Sequence, residues 1–275
     1  MKAKSIKFVC MTIREANSRL LFQLYHLYDD RESANIADLV MENVTGWKRI
    51  DRVVNKDVRL SKVQTEKLDQ YIDELSRNVP VQYVLHEAWF GEMGFYVDDN
   101  VLIPRPETEE LVHWIAGKRK TSPPALKILD IGTGSGCIAI ALKKKLPASI
   151  VYACDVSNAA LNVAQKNATL LNAEINFIEA DILEPSQWTK FPVFDVIVSN
   201  PPYVPAAEKA RMNANVVQYE PHLALFVDNE DPLLFYRTIR AFAKERLAKG
   251  GELFFEVHEN LAGQTAQLFE RSEIR

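Results

Sequence analysis

Apolar residues recur at helical spacing through the first part of the chain. Ile13, Ala16, Leu20, Leu24 and Leu27 fall on one helix face. Thr12-x-x-Glu15 forms a capping box ahead of them, so a first helix is predicted to open there. Ser33 is the expected cap of a second helix that carries Ile36, Leu39, Val40 and Val44 and stops near Gly46. Ser61-x-x-Gln64 is another capping box, followed by Leu68, Tyr71, Ile72, Leu75 and Val79. Short connections between such elements predict a small antiparallel bundle over residues 12–79, ended by Pro80.

After Pro80 the pattern changes. Tyr83–Phe90 and Phe95–Ile103 flank a Gly91-Glu-Met-Gly94 turn, which predicts a β-hairpin closed by Pro104-Arg-Pro106. From residue 125 short apolar runs alternate with helical ones. Strands are expected at Leu126–Asp130, Ile150–Asp155, Ile175–Asp181, Phe194–Ser199 and Glu252–Val257. Helices are expected at Ser135–Leu146, Asn158–Asn172 and Leu233–Leu247. Buried strands alternating with helices imply a doubly wound, mainly parallel α/β sheet covered on both faces. The expected organisation is a helical unit over residues 1–84 and a hairpin plus α/β unit over residues 85–275.

Composition narrows the class only a little. Of 275 residues, 47% are hydrophobic and 25% charged, an ordinary globular balance. The formal net charge is -4; residues 1–85 hold 14 Lys and Arg against 12 Asp and Glu, a net +2. Neither part has the cationic excess of a nucleic-acid surface, so direct nucleic-acid binding is not expected. Cys10, Cys137 and Cys154 lack metal-ligand spacing, and the last two lie in apolar runs as small buried residues. No disulfide framework is predicted, which points to a reducing cytoplasm. The apolar run from Phe8 to Ile13 is too short for a signal segment, and no transmembrane stretch is present. The capping box directly after Met11 makes that methionine a candidate natural start.

The chemistry-bearing pattern begins where the first α/β strand meets Asp130-Ile-Gly132-Thr133-Gly134-Ser135-Gly136 and then a helix. Such glycines let a backbone turn sharply and approach a ligand. A dinucleotide fingerprint would require glycine at position 137, which is Cys137, and no Gly-Lys-Ser/Thr phosphate loop follows. Asp155 ends the second strand of the alternating region, where it can accept both ribose hydroxyls. Asp181 ends the third and can accept from an adenine amino group, with Ile182 covering the adenine face. Carboxylates at three strand ends repel phosphates and suit a ligand with a sulfonium and an ammonium, which favours S-adenosyl-L-methionine over a nicotinamide dinucleotide.

The fourth strand of that region runs into Asn200-Pro201-Pro202-Tyr203. A planar amide or exocyclic amine nitrogen is a poor nucleophile, because its lone pair is delocalised. The Asn200 side-chain oxygen and the Pro201 carbonyl are expected to hold its two N–H groups and to disperse charge as a bond forms. Pro201 and Pro202 stiffen the loop, and Tyr203 is placed to stack on the planar group.

Taken together, Asp130–Gly136 and Asn200-Pro-Pro-Tyr203 resemble the class I amino-methyltransferases. Val101-Leu-Ile-Pro-Arg-Pro-Glu-Thr-Glu109, Asp155-Val-Ser and Glu220-Pro-His-Leu-Ala-Leu225 narrow the resemblance to the HemK/PrmC family, over nearly the whole chain from about Met11. That resemblance implies a class I methyltransferase-like sheet and methylation of N5 of the glutamine in the Gly-Gly-Gln loop of class 1 peptide-chain release factors, with S-adenosyl-L-homocysteine as product. It places Gly132, Thr133, Gly134, Ser135, Gly136, Asp155, Ile182 and Asn200 at the cofactor, and Asn200–Tyr203 at the glutamine. Pro104–Glu109 would wall the pocket, with Arg105 and Glu107 structural, and the bundle and hairpin would dock the release factor. A monomer is expected. The chain departs from the family at Ile182, where an aromatic residue is frequent, at His86, and at Glu256-Val-His-Glu259. It also stops at Arg275, where the family continues through a helix and a closing strand pair, so an incomplete sheet edge is expected. A nucleic-acid amino-methyltransferase acting on adenine N6 or guanine N2, and an inactive homologue that grips a translation factor, are the alternative readings.

Overall fold

The computed structural model describes residues 11–119 and 126–270. Contacts divide the chain into two compact units that meet between Leu85 and His86. Cys10 lies outside the described residues.

The first unit is helical. Helix α1 spans Ile13–Leu24, with the Glu15 N–H donating to Thr12 Oγ1 and the Thr12 N–H to Glu15 Oε2, the reciprocal capping box read from the sequence. Helix α2 spans Asp30–Thr45 and ends at Gly46, whose φ of +72° suits glycine. Its cap is Asp29 rather than Ser33. Asp29 Oδ1 accepts from Glu32 N–H at 2.8 Å, and Asp30 and Glu32 place negative charge against the positive end of the helix dipole. Ser33 is buried within the helix and donates to the Tyr28 carbonyl. A short helix α3, Arg49–Val54, precedes α4, Lys62–Ser76, whose Ser61–Gln64 box is formed. Ile13, Ala16, Leu20, Leu24, Val40, Met41, Leu68 and Leu75 are buried together. Leu27 lies beyond the end of α1 and Leu39 faces outward, so both are exposed. After Pro80 the chain forms a further helical turn, α5 (Val81–Leu85), where a strand was expected.

The second unit opens with a hairpin shorter than its sequence pattern. Strands β1, Ala88–Phe90, and β2, Met93–Phe95, pair across a turn at Gly91 and Glu92. The second strand stops because Asn167 takes over its continuation: Asn167 Oδ1 accepts from Tyr96 N–H at 2.7 Å, and Asn167 Nδ2 donates to the Tyr96 carbonyl. Beyond Pro104-Arg-Pro106 an unforeseen helix α6 spans Pro106–Arg119. Proline fits the first helical position, Glu107 and Glu109 suit the first turn, and Lys118 and Arg119 suit the last.

The α/β region follows the predicted alternation: β3 (Lys127–Ile131), α7 (Cys137–Lys145), β4 (Ile150–Asp155), α8 (Asn158–Leu170), β5 (Ile175–Glu179) and β6 (Phe194–Ser199). A short pair, β7 (Val204–Pro205) and β8 (Phe226–Val227), encloses helices α9 (Ala214–Tyr219) and α10 (His222–Leu225). Helix α11 (Leu234–Arg246), strand β9 (Leu247–Phe255) and helix α12 (Ala262–Glu270) complete the described chain. The main sheet is parallel throughout, in the order β5-β4-β3-β6-β9. β9 begins five residues before the strand read from the sequence, and its register against β6 shifts between Phe194 and Val196. The sheet is covered on both sides. One apolar cluster joins Ile128 and Val198 to Ile138, Leu142 and Val112, and another joins Leu129 and Ile197 to Trp188, Ile239 and Phe242. The strand order reverses between β3 and β6, which is where a sheet of this kind opens a crevice at its carboxyl ends.

Gly136 caps α7 at a φ of +82°, and a Cβ there would lie 3.1 Å from Ala164 Cβ on α8. Gly136→Ala therefore meets backbone strain and a close helix contact together, and is expected to cost roughly 2–4 kcal/mol. Urea unfolding with an unchanged midpoint would refute that account.

Candidate active site

The carboxyl ends of β3, β4 and β6 surround a cavity of about 240 Å³. Its wall includes Gly132, Gly134, Asp155, Asp181, Ile182, Asn200, Pro201 and Pro202, from four different strand-to-helix connections. The sequence-predicted residues thus converge, but they divide into two groups. Thr133, Ser135 and Gly136 do not line the cavity. Thr133 and Ser135 are buried, and Ser135 presents its carbonyl to Asn167 Nδ2 at 2.9 Å. They hold the loop from behind while Gly132 and Gly134, with φ of +71° and +53°, face the space.

Asp130 also lies beneath the loop. It is fully buried; Oδ2 accepts from Thr133 Oγ1 at 2.7 Å and from Ala139 N–H at 3.2 Å, while Oδ1 has no hydrogen-bond partner among the described residues. Burial dominates these two bonds and pushes its carboxyl up to about 7. Asp155 sits higher. Its oxygens accept from Gly134 N–H and Ser157 N–H, each at 3.0 Å, and burial raises its pKa as well. Each carboxylate oxygen has a second lone pair with which to accept from a ligand hydroxyl. Asp181 holds the Leu183 N–H through Oδ1. Ile182 is buried, and its carbonyl accepts from Trp188 Nε1, which fixes its backbone beside the cavity.

Asn200 follows β6. Its Nδ2 donates to Thr108 Oγ1 at 3.2 Å. Among the described residues none donates to Asn200 Oδ1 or to the Pro201 carbonyl. Tyr203 lies outside the cavity wall; its hydroxyl donates to Glu256 Oε1 at 3.0 Å and its ring meets His258 edge-on. Burial, with the Glu256 carboxylate adding to it, raises the Tyr203 pKa far above the ordinary phenol value, so it stays a donor.

Several wall residues escaped the sequence reading as individual contributors. Asn100, Val101 and Leu102 line the cavity, as do Pro221, Leu223 and Ala224. Pro104–Glu109, expected to wall the pocket, does not line it; instead the Arg105 guanidinium pairs with Glu220 at 2.5 Å, and Glu220 Oε2 accepts from Ile103 N–H at 3.1 Å. Glu220 is almost wholly buried, so the pair is a structural clamp, as expected for Arg105. Phe235 and Ile239 of α11 add apolar surface. The sequence signal for Val101, Leu102, Pro221, Leu223 and Ala224 was the two family-like segments that hold them, 101–109 and 220–225; Asn100, Phe235 and Ile239 had none.

A parallel sheet that reverses beside a glycine loop, with Asp155 ending β4, Asp181 two residues beyond β5 and an amide acceptor directly after β6, defines a class I methyltransferase. Similarity to known proteins carries this to a family. A methyltransferase small-domain family model matches residues 115–220, and a PrmC N-terminal domain model matches residues 24–85. A release factor glutamine methyltransferase of Flavobacterium psychrophilum is 44% identical, over 96% of this chain and 93% of its own. The proteins of the same description from Bacteroides thetaiotaomicron and Chlorobaculum tepidum are 41% and 39% identical, over 92% and 84% of this chain and 89% and 81% of theirs. The chain belongs to the release factor glutamine methyltransferase family.

Its cofactor is S-adenosyl-L-methionine, and the wall chemistry fits that molecule. Among the described residues the lining includes two carboxylates and no Lys, Arg or His, a balance suited to a cationic ligand rich in hydroxyl and amino donors. Among the described residues no helix is long and apolar enough to cross a membrane.

The buried Asp130 carboxyl yields a pH prediction. With its folded pKa raised to about 7 from 3.8, the unfolded chain releases this proton first as pH rises. Stability from the protonated group is complete below the unfolded value and is lost as pH rises through the folded one. Asp130→Asn should therefore flatten the fall in unfolding free energy between pH 4 and pH 8, by roughly 2–4 kcal/mol, in cofactor-free protein. Parallel wild-type and variant profiles would contradict the buried-acid account.

Proposed function

We propose that this enzyme methylates the side-chain amide nitrogen of the glutamine in the Gly-Gly-Gln loop of class 1 release factors. The observation that carries the reading is the pair of acceptors left open at the end of β6, the Asn200 side-chain oxygen and the Pro201 carbonyl, beside a cavity that fits the cofactor. Two acceptors match a primary amide, which brings two N–H groups and one poorly nucleophilic nitrogen. The family to which the chain belongs supports a release factor glutamine as that amide.

When bound, S-adenosyl-L-methionine supplies an electrophilic methyl group and leaves as S-adenosyl-L-homocysteine. Asp155 would accept ribose hydroxyls, Asp181 an adenine amino group, and Gly132 and Gly134 would let the cofactor approach the loop backbone. Asn200 and Pro201 hold the glutamine N–H groups in the amide plane, so the nitrogen π lone pair stands perpendicular to it, toward the methyl donor. As the carbon–nitrogen bond forms, positive charge grows on nitrogen and its N–H bonds polarise. Both acceptors then bind more strongly than in the ground state, which is where rate acceleration comes from. The nitrogen gains one methyl and afterwards gives up one proton to solvent. The two prolines keep the Pro201 carbonyl from rotating away.

The helical unit would dock the body of the release factor. Helix α3 and its start expose Ile50, Val53 and Val54, an apolar strip on a surface of mixed charge. Ile50→Asp combined with Val54→Asp should raise KM for the intact factor several-fold and leave kcat unchanged. A strip without that role predicts no change in KM.

Asn200→Ala should leave cofactor affinity largely intact and lower turnover on the order of 10²–10³-fold, the usual loss for one preorganised hydrogen-bonding group. Asp155→Ala should do the reverse, weakening cofactor binding by roughly 1.5–3 kcal/mol in calorimetry. The decisive assay uses labelled S-adenosyl-L-methionine with purified release factor and maps the modified residue by mass spectrometry. Label on any residue other than that glutamine, or wild-type turnover by a folded Asn200→Ala protein, would sink the reading.

A further inference from the structure

Three segments that are distant in sequence meet behind Asn200. Parallel pairing of β6 with β9 sets Ser199 opposite Phe255, and the Glu256 N–H continues the ladder to the Ser199 carbonyl at 3.1 Å. Glu256 therefore emerges beside Asn200. The first turn of α6 brings Thr108 between them, where it is buried. Thr108 Oγ1 donates to Glu256 Oε2 at 2.6 Å, and Asn200 Nδ2 donates to Thr108 Oγ1 at 3.2 Å. The other Glu256 oxygen accepts from Tyr203. Glu256 itself is anchored, because its carbonyl accepts from the hydroxyl of the fully buried Tyr236.

The order of donors along this relay is dictated by what each group can do. An ionised carboxylate only accepts, so the Thr108 hydroxyl must spend its single proton on Glu256. Toward Asn200 the threonine oxygen then has only lone pairs left. A side-chain amide facing a pure acceptor must offer its NH₂ end, and its carbonyl end is turned the opposite way. Without such a relay an asparagine amide would flip between two nearly isosteric orientations, one of which offers a donor to the substrate.

We propose that Thr108 and Glu256 are positioning residues that set the polarity of Asn200, locking its amide with the oxygen as acceptor. This makes the site selective for a nitrogen that carries two N–H groups. The proposal rests on the reading of Asn200 and Pro201 as the acceptors of the target amide. It assigns a task to the threonine of the Pro104–Glu109 segment and to Glu256, neither of which reaches the cavity wall.

The test is a kinetic cycle on the full chain with intact release factor, with melting temperature measured for each variant. Thr108→Val keeps the shape and removes the hydroxyl; kcat should fall roughly 10–100-fold with KM for the cofactor unchanged, while Thr108→Ser should recover most of the loss. Glu256→Gln offers a second route that preserves side-chain size. Its amide can donate to Thr108, which frees the threonine proton to point at Asn200 and permits the flip, so the same selective loss of kcat is expected. The discriminating arm is additivity. In an Asn200→Ala background Thr108→Val should cost less than about twofold more, because a residue acting through Asn200 has nothing left to orient. Losses that multiply in the double variant, or Thr108→Val and Glu256→Gln proteins with wild-type kcat beside an impaired Asn200→Ala, would overturn the relay and leave the reading of Asn200 standing. A fully active Asn200→Ala would instead remove that reading and the relay with it.

Discussion

Parallel pairing of β3 with β4 on one side and β6 on the other is the constraint on which the site depends. Parallel strands release their carboxyl ends at one edge of the sheet, and each must be followed by a connection that leaves that edge. Ile131 lies opposite Cys154 on one neighbour and Ser199 on the other, so the glycine loop, Asp155 and Asn200 emerge at the same level. The loop is then tied across the strand boundary, with the Gly132 and Thr133 N–H groups both donating to the Cys154 carbonyl. A one-residue slip in either pairing would turn every side chain of that strand to the other face and dissolve the constellation. The apolar interior of the sheet therefore holds the site's geometry as well as the fold's stability.

The sheet was the most legible part of the molecule. Its strands are short continuous apolar runs, and β4 and β6 occupy the ranges read from the sequence. Legibility failed where a tertiary partner overrode a local pattern. The Phe95–Ile103 run looks like a strand, yet Asn167, 71 residues beyond Tyr96, satisfies the Tyr96 backbone and ends the hairpin early. Ser33 has cap chemistry, but Asp29 is a better-placed acceptor with an acidic first turn behind it. Helix α6 hid behind Pro104-Arg-Pro106, read as a hairpin's end although proline is also a natural first residue of a helix. At the site, the cavity-facing residues of the glycine loop could not be separated from their supports by sequence, because which side of the loop each of Gly132, Thr133, Gly134 and Ser135 presents is set by tertiary backbone geometry, with positive φ at Gly132 and Gly134 only within that group. Thr108 and Glu256 were out of reach for another reason. Nothing in either local sequence announces a hydrogen bond to the other, 148 residues away.

Acidic groups near the cavity have unequal roles, set by burial. Asp130 is too deep to meet solvent and works on the loop from below. Asp155 is closer to the cavity and divides its lone pairs between the loop backbone and the space in front of it. This gradation resolves an apparent conflict, since three carboxylates at strand ends would repel one another if all were equally ionised and equally close. Burial raises the carboxyl of the deepest one to about 7, and the Asp155 charge adds a smaller push in the same direction.

An acceptor pair at the end of β6 suits any planar nitrogen with two N–H groups, whether a glutamine amide or the exocyclic amine of a base. Discrimination between protein and nucleic acid must therefore come from surfaces away from Asn200. A flipped base must be drawn from a charged backbone, and proteins that do so present a cationic track. Among the described residues the wall of this cavity contains no cationic side chain, and the first 85 residues have a net charge of only +2. What the helical unit offers instead is an exposed apolar strip at Ile50, Val53 and Val54. Such a strip gains little from a phosphate backbone and more from the apolar surface of another protein. On the proposed reading the helical unit favours a protein partner, and the polarity proposed for Asn200 requires only that the incoming nitrogen bring its two protons.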